Sequence, residues 1–501
     1  MTTHSPQADA PAPHDPLPFD PHAARLTPAN RRLLALLLVS AFVVILNETT
    51  MAVALPPIMD DFGITPAQGQ WLTTAFLLTM SVVIPTTGWL LGRLGIRRAF
   101  LLAMTTFSIG TALAALAPTF SLLLGARVVQ ASGTAVMMPL LMTTVISVVP
   151  IAIRGRVMGM VSLVIAAAPA LGPTASGLVL QSLSWHWIFG LVLPIALLAL
   201  VAGWLWVRGE AEGNHTPLDA LSLPLVILGF GGLVYGLAGL GEAAQADPVV
   251  PVWLPIVVGA LALVVFGLRQ LALVRGTGPL LDIRVLTVRD FAIATAVMCI
   301  AMFSMFGVML LLPLYAQNVL GLDPLGSGLV MLPGALAMGL LGPTVGRLCD
   351  RLGARPLVVP GLVLAGGALV LLAVGPQQVW LMAAAHILMS LGLALVFTPM
   401  FTVALGSLTG PLVPHGSAMI GTLQQLAGAA GTAAFVAIMV TREVAAIEGG
   451  ASEVEALSQG THLAFLIGGA IGMAAAGLAL LLRRGVGSAA AAEPDRAAAA
   501  H

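Results

Sequence analysis

Glu48 is the residue of this sequence whose surroundings most clearly call for a chemical role. It is the only carboxylate inside a long apolar stretch, where it stands in the run ILNETTMAVALPP. A charge held in hydrocarbon costs several kcal/mol, so such a group is rarely kept without a partner or a task. One protonatable side chain among so many apolar residues indicates proton-coupled work across a membrane.

Two further titratable residues, Arg127 and His386, lie inside apolar stretches at a similar depth. Counted from the ends of their predicted helices, Glu48 and Arg127 lie about 12–13 Å below the same membrane boundary. If their two helices pack side by side, the charges could face each other, and the proton affinity of Glu48 would then depend on where Arg127 points. A static ion pair that locks two helices together is the alternative. His386 is a possible proton relay or substrate ligand, or only a hydrogen-bonded packing residue.

Uncharged polar residues in the same stretches are costly against lipid, so we expect them to face a central cavity. Interhelical hydrogen bonding is an equally open role for the glutamines. Four further residues could make soft, adaptable contacts to apolar ligands. Packing against neighbouring helices is their alternative role. The polar set is Asn47, Gln130, Gln424 and Gln425, and the adaptable set is Met137, Met138, Trp71 and Phe76.

The composition requires that these residues be positioned by membrane-spanning helices. Apolar residues make up 58% of the 501 residues and charged residues 8%, with a mean hydropathy of +1.02. Soluble domains carry about 25% charged residues, so this chain could not form a water-facing surface. Its apolar runs are long enough for helices, which need roughly 20 residues, and too long for the alternating strands of a membrane barrel.

Several classes of function are disfavoured by what the sequence lacks. A net charge of zero offers no basic surface for nucleic acid. The two cysteines, Cys299 and Cys349, lie on separate segments and predict neither a disulfide framework nor a metal site. The absence of a phosphate-binding loop, a nucleophile elbow and a zinc-protease motif argues against ATP use and against an enzyme. We therefore expect no cofactor, and an ion gradient as the energy source.

The apolar runs predict fourteen transmembrane helices separated by turn residues. They lie near 33–56, 70–91, 99–117, 120–148, 156–181, 187–207, 218–240, 252–274, 291–315, 326–347, 356–375, 379–406, 416–441 and 461–482. With both termini in the cytoplasm, all but two of the 21 basic residues fall in cytoplasmic segments or at their helix ends; the exceptions are Arg442 and Arg127. This is the positive-inside pattern of a multi-pass protein of the cytoplasmic membrane. It does not test whether the pair 218–274 spans the bilayer.

A short loop occurs twice, as GWLLGRLGIRR at 88–98 and GRLCDRLGARP at 346–356, at an offset of 258 residues. Glycine permits a tight turn, and arginine can cap helix carbonyls. Asp350, which the first copy replaces with Gly92, could hold an arginine or a helix N-terminus in one conformation only. Gating or simple topological anchoring are the two interpretations. The candidate gating residues are Gly88, Arg93, Gly95, Arg97, Gly346, Asp350, Arg351, Gly353 and Arg355.

The run PALGPTASG at 169–177 predicts a tight, bent helix contact. Ala168, Gly172 and Ser176 are spaced by four and form a flat face that a neighbouring helix can approach closely. Pro169 and Pro173 remove backbone hydrogen bonds and should bend the helix. Gly177 completes the motif.

Taken together, these motifs resemble the major facilitator superfamily, and more closely its fourteen-span drug:proton antiporters of EmrB/QacA type. The LNET form resembles the lincomycin-efflux members most. Three departures are Asn47, where the family usually has an acid, the missing acid in the first loop, and His186 in WHW. The motifs that carry the resemblance are LNETTMAVALP, the doubled loop, RVVQASGTA at 127–135, PALGPTASG, SWHWIF at 184–189 and HGSAMIGTLQQLAGAAGTA at 415–433.

The resemblance implies an all-α membrane protein of the major facilitator fold, with two pseudo-symmetric six-helix bundles and an inserted two-helix hairpin. It also implies a monomer that exchanges external protons for amphipathic drugs or antibiotics, with PALGPTASG marking proton antiport. Export of a dedicated metabolite, siderophore or lipid, and a membrane sensor or scaffold that transports nothing, remain alternatives. The expected division is a disordered tail at 1–30, bundles at 31–210 and 281–484, the hairpin at 211–280 between them, and a second disordered tail at 485–501.

Overall fold

The computed structural model describes residues 26–64, 66–207, 219, 221–242, 250–274 and 278–482. Within these ranges the regular secondary structure is entirely helical. The predicted disordered tails lie outside the described residues, except for 26–30. In that stretch α1 already begins at Pro28, inside the segment predicted to be a tail.

The described residues form fifteen α-helices. Short 3₁₀ turns occur at Ile84–Thr86 and Ile283–Thr287, and a π-helical turn occurs at Ile227–Gly231. The helices are α1 Pro28–Phe62, α2 Pro66–Val83, α3 Thr87–Ala115, α4 Phe120–Val148, α5 Ile151–Leu180, α6 His186–Trp206, α7 Ser222–Val226, α8 Gly232–Glu242, α9 Trp253–Leu273, α10 Arg289–Asn318, α11 Pro324–Leu352, α12 Arg355–Val374, α13 Val379–Gly406, α14 Leu412–Glu448 and α15 Glu453–Ala479.

Local sequence explains where several of these helices begin and end. The side chains of Thr27, Asp323 and Ser452 each accept a hydrogen bond from a backbone N–H of the first turn that follows. Such caps satisfy donors that a helix N-terminus otherwise leaves unpaired. Gly63 ends α1 with φ 61°, a left-handed conformation that glycine adopts without steric cost.

Among the described residues, eleven helical segments are long and apolar enough to cross a membrane. One of them, Trp71–Ala115, is 45 residues long and is broken inside α3 at Gly95, where φ is 68° and ψ is 174°. A shorter apolar helix covers Ser222–Leu237. The predicted all-α membrane fold is confirmed, whereas the predicted count of fourteen spans exceeds these eleven.

The helices group into a first half, α1–α6, and a second half, α10–α15, with matching neighbours. In the first half α3 packs on α4 and α6, and α1 packs on α5. In the second half α12 packs on α13 and α15, and α10 packs on α14. The same order of packed pairs in both halves is the structural counterpart of the repeated loop.

Individual glycines show how closely the repeat is followed. Gly353 has φ 79° and ψ 173°, close to the values at Gly95, so both copies of the loop turn in the same way. Gly133 of α4 lies against the carbonyl of Ala103 in α3, and Gly392 of α13 lies against the carbonyl of Gly361 in α12. No Cβ would fit at either glycine. The α3 and α12 residues differ by 258 in number and the α4 and α13 residues by 259.

The halves meet along two seams. In one seam α5 packs along α11, and in the other α14 packs against α2, α3 and α4. The hairpin, which comprises α7, α8 and α9, packs on both α14 and α2. We call the side of the molecule that carries the repeated loops 88–98 and 346–356 the motif face, and the other side the opposite face.

Candidate functional site

A cavity of about 190 Å³ lies between the two halves. Its walls come from α1, α2, α4 and α5 of the first half and from α10, α13 and α14 of the second. Glu48 is the only carboxylate among the described lining residues, and Gln424 and Gln425 add two amides. The structure therefore brings the membrane carboxylate and two of the predicted polar residues into one space.

Apart from the hydroxyl groups of Thr49, Thr134 and Ser417, the remaining walls are apolar and rich in flexible side chains. Thioethers are polarizable and unbranched, so they adapt to ligands of different shape. Met137 and Met138, for which packing was the alternative, line the cavity. The lining methionines and phenylalanines are Met80, Met137, Met138, Met142, Met302, Met305, Met309, Phe306, Phe397 and Phe401.

The cavity is small for a drug-sized ligand. Sites for such ligands usually measure about 300–1,000 Å³. At about 190 Å³ this cavity is smaller than that range. A drug-sized ligand therefore requires the walls of the cavity to move apart.

Glu48 is half-buried and borders the cavity. The hydroxyl of its neighbour Thr49 donates a 3.0 Å hydrogen bond to the carbonyl of Leu46 in the same helix. Within the described part of the chain, the salt bridges are Arg269–Asp219 and Arg284–Asp282. Glu48 and Arg127 form none, although their charges lie close enough to attract each other.

Arg127 is buried and has other partners. Its side chain is 1% exposed, its guanidinium lies 4.0 Å from the centre of the Phe76 ring, and its Nη1 donates a 2.5 Å hydrogen bond to Oε1 of Gln130. Gln130 in turn donates from Nε2 to Oγ1 of Thr111 at 2.9 Å. A cation over an aromatic face gains about 0.5–2 kcal/mol. The charge is therefore held at a fixed place near Glu48 without a salt bridge.

His386 occupies the equivalent position in the second half. The offset of 259 residues between α4 and α13 relates it to Arg127, and the offset of 258 relates Gly334 to Phe76. His386 rests on Gly334, just as Arg127 rests on Phe76. The imidazole is 7% exposed, and its Nδ1 has no hydrogen-bond partner among the described residues. It does not line the cavity.

Asn47 and Gln130, predicted for the cavity, are not among its lining residues. Asn47 is fully buried, and both polar atoms of its amide lack a hydrogen-bond partner in the part of the chain that the structure describes. Because successive helical residues point about 100° apart, placing Glu48 on the cavity directs Asn47 into the packing. Gln130 takes the interhelical role that the sequence left open, through its bond to Thr111.

The repeated loops lie at contacts between and within the halves. Gly346 and Asp350 both lie against Gly155, in the second turn of α5. Gly88 lies against His415 at the start of α14. These contacts join the halves at the motif face.

The loop arginines have different surroundings. Arg97 donates a 3.2 Å hydrogen bond to the carbonyl of Trp204, in the last turn of α6. Arg93 lies 5.6 Å from the Trp89 ring. Arg351 is exposed at the end of α11, and Arg355 begins α12.

PALGPTASG packs within the first half. Gly172 lies against Thr49 and the carbonyl of Leu46, one turn or less from Glu48. Gly177 has open space around it. The side chains of Pro169 and Pro173 lie outside what the structure describes, and the backbone there is part of α5.

Two repeated helical halves around a central cavity, with a carboxylate on its wall, are typical of a membrane transporter. The chain belongs to the Major Facilitator Superfamily, whose profile matches residues 37–432. Proteins of this family are transporters, not enzymes.

Two bacterial relatives cover most of the chain. The uncharacterized transporter YcnB of Bacillus subtilis is 36% identical over 91% of this chain and 96% of its own length. The lincomycin resistance protein LmrB of Listeria monocytogenes is 38% identical over 87% of this chain and 93% of its own. Among solved structures, the human organic anion transporter MFSD10 shares the fold, with a TM-score of 0.65 over 90% of this chain and all of that one, at 15% identity.

Proposed function

We propose that this protein is a proton-coupled antiporter that exports amphipathic drugs or antibiotics across the cytoplasmic membrane by alternating access. The observation that carries this proposal is Glu48, the lone carboxylate among the described residues of a cavity shared by both halves. The naming of LmrB as a lincomycin resistance protein supports an antibiotic as substrate. Adaptable methionine walls suit amphipathic ligands of varied shape.

Glu48 is the proton carrier in this proposal, and Arg127 is its modulator. The fixed guanidinium attracts the carboxylate form of Glu48 and not its neutral acid form. A cationic substrate that enters the cavity adds to this attraction and favours proton release. Protonation from outside removes the attraction and releases the substrate. Glu48 is the one acid among the described lining residues. The site therefore suits monocations, zwitterions and neutral molecules better than dications.

The contacts between the halves support the proposal of alternating access. The contacts of Gly155 with Asp350 and of Gly88 with His415 lie at the motif face, and Ser417 also donates a 3.4 Å hydrogen bond to the carbonyl of Pro139. A carboxylate such as Asp350 near a helix N-terminus is stabilised by the helix dipole. Opening the cavity toward this face requires these contacts to break, which gives the repeated loops a gating role.

We also propose the orientation, span count and monomeric state expected from the sequence. The arginine distribution supports a cytoplasmic location for the motif face and for both termini. Fourteen spans result if Trp71–Ala115 counts as two helices separated at Gly95, and if α5 and the helix Ser222–Leu237 also cross. The division into bundles at 31–210 and 281–484 and a hairpin at 211–280 follows the same reasoning.

The decisive experiment is pH-driven export from proteoliposomes by Glu48→Gln. We expect export driven by the gradient to fall to background, because the amide cannot carry a proton. Substrate binding to the purified variant should persist. Thr49→Val, which changes the adjacent lining residue without removing a titratable group, is the matched control and should retain most activity. Full gradient-driven export by Glu48→Gln would refute the proposal.

A further inference from the structure

A buried polar cluster joins both helices of the hairpin to the chain that follows it. Gln270 of α9 is fully buried and uses both ends of its amide. Its Nε2 donates a 2.6 Å hydrogen bond to Oγ of Ser222, the first residue of α7. Its Oε1 accepts hydrogen bonds from the backbone N–H groups of Leu280 at 2.8 Å and Leu281 at 3.2 Å. One side chain thus ties α7, α9 and residues 280–281 together.

An ion pair closes the same end of the hairpin. Arg269 donates to both carboxylate oxygens of Asp219, at 2.6 and 2.7 Å, and Ser222 donates to the same carboxylate at 2.5 Å. The hydrogen bonds from Arg269 lower the pKa of Asp219 to about 2, so the group is ionised at physiological pH. Breaking the hydrogen bonds of Gln270 or Ser222, both fully buried, would leave polar atoms without partners, which is costly.

The chain beyond the cluster is fixed to the second half. The backbone N–H of Asp282 donates to Nδ1 of His415, at the start of α14, over 3.3 Å. The Asp282 carboxylate holds Arg284 in the 3₁₀ turn that leads into α10. That turn packs on α10 and α14, and α8 packs on α14 as well. Hydrogen bonds and packing therefore connect the hairpin to the second half at several points.

The hairpin touches the first half through α2, and the contacts described there are apolar. Val82 faces Gly231 in the π-helical turn, and the Trp71 ring lies 5.9 Å from that of Tyr235. Packed apolar surfaces can slide past each other by small shear motions. A hydrogen-bonded buried cluster cannot do so without losing its partners.

We propose that Gln270 is a positioning residue that makes the hairpin a rigid part of the second half, along which α2 slides when the halves rock. The inference rests on the alternating-access function proposed above. It gives the hairpin a mechanical task, since α8 covers the seam between α2 and α14 on that side of the molecule.

Distances between spin labels test the inference directly. In a Cys299→Ser/Cys349→Ser background, Trp253→Cys marks the hairpin, Leu116→Cys the first half and Val454→Cys the second. All three positions are exposed, at 61%, 77% and 53%. Between pH 5.5 and pH 8, we expect the Leu116–Val454 and Trp253–Leu116 distances to change together while Trp253–Val454 stays constant.

Two results would overturn the inference about the hairpin, and they can be distinguished from each other. If Trp253–Val454 changes as much as Trp253–Leu116, the hairpin is not part of the second half, although alternating access stands. If Leu116–Val454 never changes, with or without a pH step, alternating access itself fails and the hairpin inference falls with it.

Cross-linking supplies a functional test in the same cysteine-free background. A Cβ at Gly267 would lie 3.8 Å from Ile283, so Gly267→Cys/Ile283→Cys joins the hairpin to the second half. Trp71→Cys/Tyr235→Cys joins it to α2. With a short thiol cross-linker, the first pair should leave export within twofold and the second should reduce it at least tenfold. Loss of export with the first pair, or full export with the second, would contradict the proposal.

Variants of Gln270 separate positioning from simple stabilisation. Gln270→Leu removes all three hydrogen bonds at similar volume, and should broaden the Trp253–Val454 distance distribution. Gln270→Glu keeps the acceptor for Leu280 and Leu281, and should retain the narrow distribution. A residue that only stabilises the fold would lower Tm in Gln270→Leu without broadening that distance.

Discussion

Arg127 in the first half and His386 in the second occupy equivalent places in a repeated framework, yet their surroundings differ. Arg127 lies over Phe76, bonds to Gln130 and attracts Glu48. His386 lies on Gly334, and within the described part of the chain its Nδ1 has no hydrogen-bond partner and it forms no salt bridge. The duplicated helices supply the same packing twice, while the side chains give only the first half a permanent charge beside Glu48, the proposed proton carrier.

The cavity wall shows the same asymmetry. Among the described lining residues, the first half contributes Glu48, and the second half contributes Gln424, Gln425 and all three phenylalanines. Coupling by protons thus belongs to the first half in the proposed mechanism, and the second half supplies neutral surface for the substrate. Substitutions at equivalent positions of the two halves test this division.

The largest difference should appear between Arg127→Gln and His386→Gln. Removing the Arg127 charge deprives Glu48 of its nearby positive group, so we expect pH-driven export to fall at least tenfold. His386→Gln removes no interacting charge and should stay within about threefold of wild type. Initial rates in proteoliposomes measure both. Equal losses in the two variants would show that the halves contribute alike.

A smaller effect is expected from filling the space beside His386. A Cβ at Gly334 would collide with the imidazole, and overpacking a buried site typically costs about 1–3 kcal/mol. Gly334→Ala should therefore lower Tm, and adding His386→Ala should restore it, since the two changes are coupled. Gly367→Ala in α12, where a Cβ meets nothing within 4 Å, is the matched control and should not lower Tm. No rescue by His386→Ala would mean that another contact limits Gly334.

The smallest effect is expected from removing the ion pair between Asp219 and Arg269 in the hairpin. The pKa of Asp219 is lowered by Arg269, so the pair stabilises the fold above the unfolded-state pKa and is lost only as pH falls toward 2. Asp219→Asn should lower Tm by the same amount at pH 5.5 and pH 7.5 and leave the pH profile of export unchanged. A penalty that disappears at pH 5.5 would show that Asp219 is protonated there.

Much of the fold was predictable because membrane-spanning helices can be recognised in a sequence by their length and apolarity. The all-α membrane architecture and the family follow from the apolar runs and motifs, and both are confirmed. The start of α1 at Pro28 was missed, since the polar and proline-rich stretch before it masks the cap that Thr27 provides. The structure places Gln424 and Gln425 on the cavity but not Asn47 and Gln130, because a polar residue in an apolar run does not reveal which way it points.

Other site features had no sequence signal. The match between Arg127 and His386 became visible only through the packed glycines Gly133 and Gly392, because the surrounding residues are not alike. The contact of Asp350 with Gly155 joins residues that are far apart in the chain. The cluster around Gln270 depends on two helices and a turn that meet only after folding.

The amino-acid sequence by itself determined that this chain is a membrane protein, that it contains a duplicated loop, and that Glu48 is its one carboxylate in a long apolar run. Those properties depend on composition and on short spacings, which need no knowledge of neighbours in space. Tertiary structure alone decided that Glu48 borders a cavity, that Arg127 is held by Gln130 and Phe76, and that the hairpin is tied to the second half. Such facts depend on the rotation of each helix and on its partners, which a linear pattern does not contain.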